Sequence, residues 1–172
     1  MRFWGGEGKE KQMAVDMFLK LGDIKGESVD AKHVGEIDVL SWSWGMSLPG
    51  TPRTGSGAGA GRVSIQDISI TKYFDEATPA VMLACCKGNH YKEARLTVRK
   101  AGTKPLEYIK ITMKDVLVSS VSTEGGNGDN RITEIITLNF AEYKVEYTPQ
   151  KKDGSGGAAI VAGWNIVRNV EV

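Results

Sequence analysis

The stretch Ile37-Asp38-Val39-Leu40-Ser41-Trp42-Ser43-Trp44-Gly45-Met46 alternates two tryptophans with two serines and then meets a long glycine-rich connection. Side chains of a strand point alternately to its two faces. Leu40, Trp42, Trp44 and Met46 are therefore expected on one face, and Ile37, Val39, Ser41 and Ser43 on the other. The first set reads as buried. The second passes from aliphatic to small and polar, as in a strand that starts over a core and ends on a wet surface. Function is expected on that surface rather than in a catalytic cleft.

Strand patterns flank this stretch on both sides. Residues 17–21, 63–74, 94–99, 108–121 and 131–147 carry alternating or β-branched runs, and residues 164–170 close the set. Two of these runs change apolar parity, one near Asp115 to Val118 and one near Ala141, where Phe140 and Tyr143 fall on opposite sides. Such slips fit bulges or corners that carry a strand from one sheet into another. One segment departs from the pattern. Thr78-Pro79 opens an apolar run that ends in Lys87-Gly88, which predicts a short helix with Thr78 as N-cap, proline in the first turn and glycine just beyond the end. The fold class is all-β: a two-sheet β-barrel, closed or nearly so, with one short flanking α-helix and an extended protruding loop.

A chain of 172 residues fits one ordinary domain. Residues 13–172 are assigned to it, and residues 1–12 are a polar leader, disordered or upstream of the true start. Gly5-Gly6-Glu7-Gly8 can be encoded by purine-rich codons resembling a bacterial ribosome-binding site, which makes Met13 a candidate start. The 22 basic and 21 acidic residues leave a formal charge of +1, so no net field draws the chain to nucleic acid or to an anionic membrane. No apolar run approaches the roughly 18 residues needed to span a bilayer, and the N-terminus lacks the apolar stretch of a secretory signal. The chain is expected to be made in the cytoplasm. Cys85 and Cys86 are adjacent and cannot staple distant segments, so both read as reduced packing residues.

Catalytic chemistry is nearly absent from the sequence. His33 and His90 lack metal-ligand spacing to other donors, no nucleophile elbow surrounds a serine, and Asp75 and Glu76 complement a helix N-terminus. No enzyme activity, cofactor or metal is expected. Residues 48–61 form an irregular connection longer than most in a compact domain. Gly55, Gly57, Gly59 and Gly61 recur there at every second position. They lack the Gly-Lys-Ser/Thr ending and the following helix of a phosphate loop, so a flexible arm that orders against another subunit is the functional reading. A monomeric small-ligand-binding β-barrel, with a cavity behind Trp42 and Trp44, is the alternative for the whole chain.

From Met13 to the end, the sequence resembles the haemolysin-coregulated protein (Hcp) family, the tube subunit of bacterial type VI secretion. The resemblance is carried by Met13-Ala14-Val15-Asp16-Met17-Phe18, Lys25-Gly26-Glu27-Ser28 and Glu36 to Gly45. It continues through Asp67-Ile68-Ser69-Ile70-Thr71-Lys72, Ala94 to Gly102, Leu117 to Ser122, Thr137-Leu138-Asn139-Phe140 and Gly163-Trp164-Asn165. The chain departs from the family in its leader and in the Cys85-Cys86 pair, where one cysteine followed by a small polar residue is the family's pattern.

The resemblance implies homohexameric rings that stack into a hollow tube. A contractile sheath drives this tube and its VgrG-like tip from a baseplate across a target membrane, and the protein leaves the cell without a signal peptide. Effector proteins are carried or sheltered in the lumen. On this reading Ser41 and Ser43, with Thr97 and Arg99 from a second strand, line the lumen and contact cargo. Pro49, Gly50, Thr51, Pro52, Arg53, Thr54, Gly55, Ser56 and Gly57 form the ring-stacking loop. Nucleic acid and membrane insertion have no part in it.

Overall fold

The longest strand is the pivot on which both sheets turn. In the computed structural model, which describes residues 14–49 and 62–172, β8 (Leu106–Glu124) follows β1 (Val15–Leu21), β2 (Ile37–Asp38), β3 (Ser41–Ser43), β4 (Met46–Ser47), β5 (Ser64–Ile65), β6 (Ile68–Tyr73), helix α1 (Thr78–Lys87) and β7 (His90–Lys100). After it come β9 (Thr133–Asn139), β10 (Glu142–Tyr147), β11 (Ile160–Asn165) and β12 (Val170–Glu171). The leader and residues 50–57 of the stacking-loop assignment lie outside the described residues; Pro49, at the root of that loop, is exposed.

The first part of β8 pairs with β7 and β10, and its last part pairs with β9. Strand order is therefore β12-β11-β10-β8-β7-β1-β2, with β9, β6 and β3 branching from β8, and β4 and β5 form a separate hairpin. β8 can serve both layers because its inward parity changes twice. Ile111 and Met113 are buried, then Val116 and Val118, and the change falls at Asp115, whose φ of 52° is a left-handed bulge conformation. A second register shift lies between Val118 and Ser120. The other slip expected from sequence falls between β9 and β10, where Phe140 is buried and Ala141 N–H donates to the Lys114 carbonyl (3.0 Å).

The Trp-Ser stretch is not one continuous strand. β2 pairs with β1, β3 pairs with β6, and the chain steps between the sheets at Val39 and Leu40, whose N–H groups donate to Met17 O (3.0 Å) and Thr71 O (2.8 Å). Ile37 and Val39 are buried, as expected of a strand that starts over a core, and Trp42 and Trp44 pack half-buried against it. The corner turns Leu40 out to solvent, however, and Met46 at the far end is also exposed, against their expected burial. No ladder joins β2 to β3, so the sheets do not close into a hydrogen-bonded barrel and the covalent chain spans the gap.

One apolar cluster fills the space between the layers, from Leu19, Leu21 and Leu96 on one side to Ile68, Ile70, Ile136 and Leu138 on the other. α1 packs on β8 and buries Val81 and Ala84. Its C-terminus is the expected one: Gly88 adopts φ 63°, a conformation that costs glycine least. Its N-cap is Ala77, not Thr78. The Thr78 hydroxyl instead accepts the Asp75 N–H (3.1 Å) and donates to Glu134 Oε1 (2.8 Å). Lys72, fully buried on β6, donates to Glu134 Oε1 (2.5 Å) and Asp75 Oδ1 (2.7 Å) in the same cluster.

Candidate functional site

Strand pairing assembles a face that no single segment displays. Across β3, β6, β9 and β8, Ser43 stands opposite Ser69, Ser69 opposite Thr137, and Thr137 opposite Ser120. The next outward row is Ser41, Thr71, Ile135 and Ser122, and Tyr73 and Thr133 begin a third. The rows between point inward with Trp42, Ile70, Ile136 and Val121. Simple alternation thus places hydroxyls outside, with Ile135 as the one outward aliphatic of the first two rows, and apolar side chains inside on four successive strands.

The register shift after Val118 lets Ser119 and Ser120 both reach Thr137, with hydroxyl separations of 2.7 and 2.6 Å. At that margin Ser119 and Asn139 donate to Asp67 (2.5 and 2.8 Å). Among the described residues, no side-chain hydrogen bond engages the hydroxyls of Ser41, Ser43, Ser69, Thr71 or Ser122, and a hydroxyl can both donate and accept. The two rows hold no charged side chain, because Lys72 and Glu134 on the same strands point inward. Such a face can hydrogen-bond a polar surface in many orientations without holding it by charge.

A family model described as Type VI secretion system effector, Hcp, matches residues 18–147. Protein hcp1 of Pseudomonas aeruginosa is 57% identical over 161 residues, covering 92% of this chain and 99% of that protein. The chain belongs to the Hcp family. Among solved structures, Hcp1 from Salmonella typhimurium aligns with TM-score 0.78 at 38% identity, covering 93% of this chain and 100% of that one. A structure described as a type six secretion system protein aligns with TM-score 0.87 at 28% identity, covering 92% and 100%. As a member of the Hcp family, the chain is a type VI secretion tube protein.

In this Hcp chain Ser41 and Ser43 lie on the exposed hydroxyl face, but Thr97 and Arg99 do not join them. They sit on β7 in the other arm of the sheet, 2% and 8% exposed. Residues 22–36 cover them, and Arg99 is committed to Asp30 and Asp16. Their outward parity was legible in sequence, whereas the covering segment was not. Sequence reasoning also missed Ser69, Thr71, Thr137, Ser120 and Ser122. Each recurs at alternate positions in its own strand, but only the register shows that the strands adjoin.

The Asp75-Glu76 pair is structural: Asp75 accepts from Lys72 and from the Ala77 N–H, and the Glu76 N–H donates to Glu27. Among the described residues no group of three His, Cys, Asp or Glu side chains is placed to hold a metal, and no helix is long and apolar enough to cross a membrane. Cys85 is half-buried, Cys86 is exposed, and both thiols are free.

Proposed function

We propose that this Hcp chain assembles into hexameric rings whose lumen is walled by the hydroxyl face of β3, β6, β9 and β8, and that effector proteins lodge there during export. The observation that carries this reading is the uncharged double row running from Ser43 to Ser120 and from Ser41 to Ser122, exposed on a protein of the tube family. A channel wall has to be wetted and weakly adhesive. Neutral hydroxyls meet both needs, since a hydrogen bond exchanged with water contributes only about 1 kcal/mol net. Ring closure requires two different patches on each subunit, and stacking requires a third contact along the axis. Residues 48–61 are proposed for that axial contact.

The role is mechanical rather than catalytic. The chain is made in the cytoplasm and exported without a signal peptide, its partners being further copies of itself, the sheath, the VgrG-like tip, the baseplate and luminal effectors. Ser43 is the proposed cargo contact. Ser43→Arg places a bulky permanent cation where cargo would otherwise meet a hydroxyl, and leaving that charge imperfectly paired costs about 1–3 kcal/mol. The expected result is an intact ring by light scattering with co-purifying effector reduced about tenfold or more. Unchanged effector recovery would remove Ser43 from the cargo surface, and collapse of the fold would refute its assignment to an outward face.

A further inference from the structure

Residues 22–36, between β1 and β2, lie across the outer face of β1, β7 and the start of β8. The segment braces itself: Gly26 and Ser28 N–H donate to the Gly35 and Glu36 carbonyls (2.8 and 3.0 Å), and Gly35 N–H donates to the Ser28 carbonyl (2.8 Å). A Cβ on Gly26 would stand 2.4 Å from the Glu36 carbonyl oxygen, so only glycine lets the two sides close. Val29 and Val34, 93% and 71% exposed, are held out to solvent on it.

Two charged clusters fasten the segment to the sheet. In the first, Arg99 on β7 donates to both Asp30 oxygens (3.0 and 2.5 Å) and to Asp16 on β1 (3.0 Å), with its guanidinium carbon 5.1 Å from the Phe18 ring centre. The hydrogen bond from Arg99 holds the Asp30 carboxyl well below the usual carboxylate range. This cluster keeps its charges across neutral pH. In the second, His33 is 7% exposed and its ring stacks on Phe18 at 4.2 Å and 8°. Its Nδ1 lies 2.9 Å from Glu36 Oε2 and its Nε2 lies 3.1 Å from Glu107 Oε1 on β8.

We infer that residues 22–36 form a strap, fastened to the sheet by a doubly protonated His33, whose His33 end loosens when the ring gives up one proton. A neutral imidazole has one donor and one acceptor nitrogen, whereas an ionised carboxylate only accepts. Two carboxylates facing the two ring nitrogens are therefore both satisfied only by the imidazolium. Burial pushes the Glu107 carboxyl up, but hydrogen bonds from Lys110 and His33 and their charges outweigh it and hold the group below its ordinary range, so Glu107 is ionised near neutrality. The charged groups around the clasp are thus Glu36 and Asp30 on the strap, Asp16 on β1, Arg99 on β7, and Glu107 and Lys110 on β8. Loss of the ring proton turns one charge-assisted bond into a lone pair opposed to a carboxylate. The fastening supplied by the ring is present at acidic pH and lost as pH rises. The contribution of Glu107 has the opposite sign and is lost only when acid protonates it.

The test is residue-resolved hydrogen exchange on the full chain between pH 5.5 and 9, corrected for intrinsic rates, with nitrogen NMR of the imidazole. The ring is expected to carry both protons wherever the His33 and Glu36 amides are protected. The His33 and Glu36 amides, which donate to Asp30 O and His33 O, are expected to lose protection by about tenfold or more as pH rises, the cost of one charge-assisted bond. Protection at Leu96 in β7 should not change. His33→Gln removes the titration and should flatten the profile. Glu107→Gln should also flatten it, because a side-chain amide can donate to the neutral ring. A single neutral tautomer while those amides are still protected, or the same pH-dependent loss in His33→Gln, would overturn the inference. If His33→Gln does not fold, the wild-type ring spectrum and Glu107→Gln decide. None of these readouts depends on ring assembly.

Discussion

Lys72→Met is expected to destabilise the chain by about 3–5 kcal/mol, the cost of leaving a buried carboxylate without its cation. Lys72 is fully buried and Glu134 is 1% exposed, so water cannot replace the missing charge. Glu134 Oε2 has no hydrogen-bond partner even with Lys72 present, so the cluster is already incompletely satisfied. One ammonium group faces two carboxylates there, Glu134 and Asp75. Urea denaturation of three variants separates these effects. Lys72→Met should lower the midpoint strongly, and Glu134→Leu should lower it less, because Asp75 Oδ1 at 2.7 Å still pairs with the lysine. The double variant should recover part of the Lys72→Met loss, because Glu134 is no longer a buried charge without a cation, although Asp75 still lacks its partner. Additive losses in the double variant would show that the two side chains act independently.

Removing residues 50–57 is expected to leave folded rings and abolish most stacked tubes. Closure entropy changes by only about 0.6 kcal/mol for each halving of a loop's length, so shortening this connection should scarcely affect the fold. Each ring would present the connection once per subunit, so its loss is repeated around every junction between rings, and tube formation should fall by about a hundredfold or more. Electron microscopy of wild type and deletion at matched concentration reads the outcome directly, and secretion into the medium should fall with it. Tubes of unchanged length would remove this segment from the stacking contact.

Much of the fold was legible because its signals are local. The parity slips at Asp115 and near Ala141 mark where β8 bends and where β9 gives way to β10, since a bulge has to shift the two-residue period of the strand that contains it. Pro79 and Gly88 bound α1 for equally local reasons. Features set by partners far away in sequence were not legible. The corner at Val39 and Leu40 depends on Met17 and Thr71 as hydrogen-bond acceptors, so Leu40 was assigned to the wrong face.

Lys72 illustrates the same limit. It alternates in phase with Ile68 and Ile70, which points it inward, but it takes Glu134, 62 residues on, together with Asp75 to make that position tenable. His33 reads as one polar residue in a polar segment, and only Glu107, 74 residues away, turns it into a clasp. The hydroxyl face lies between these extremes. Ser41 and Ser43 were chosen from one strand, whereas Thr97 and Arg99 were grouped with them by parity alone, without the strap that covers them.

The reading of this chain as a tube subunit is tested most directly by imaging and sedimentation of the purified protein over a wide dilution range. The expected result is a closed six-copy ring with a central pore wide enough to admit a small folded protein, with Ser43 of every copy accessible from within it. Single copies at every concentration, or a compact particle without a pore, would contradict it.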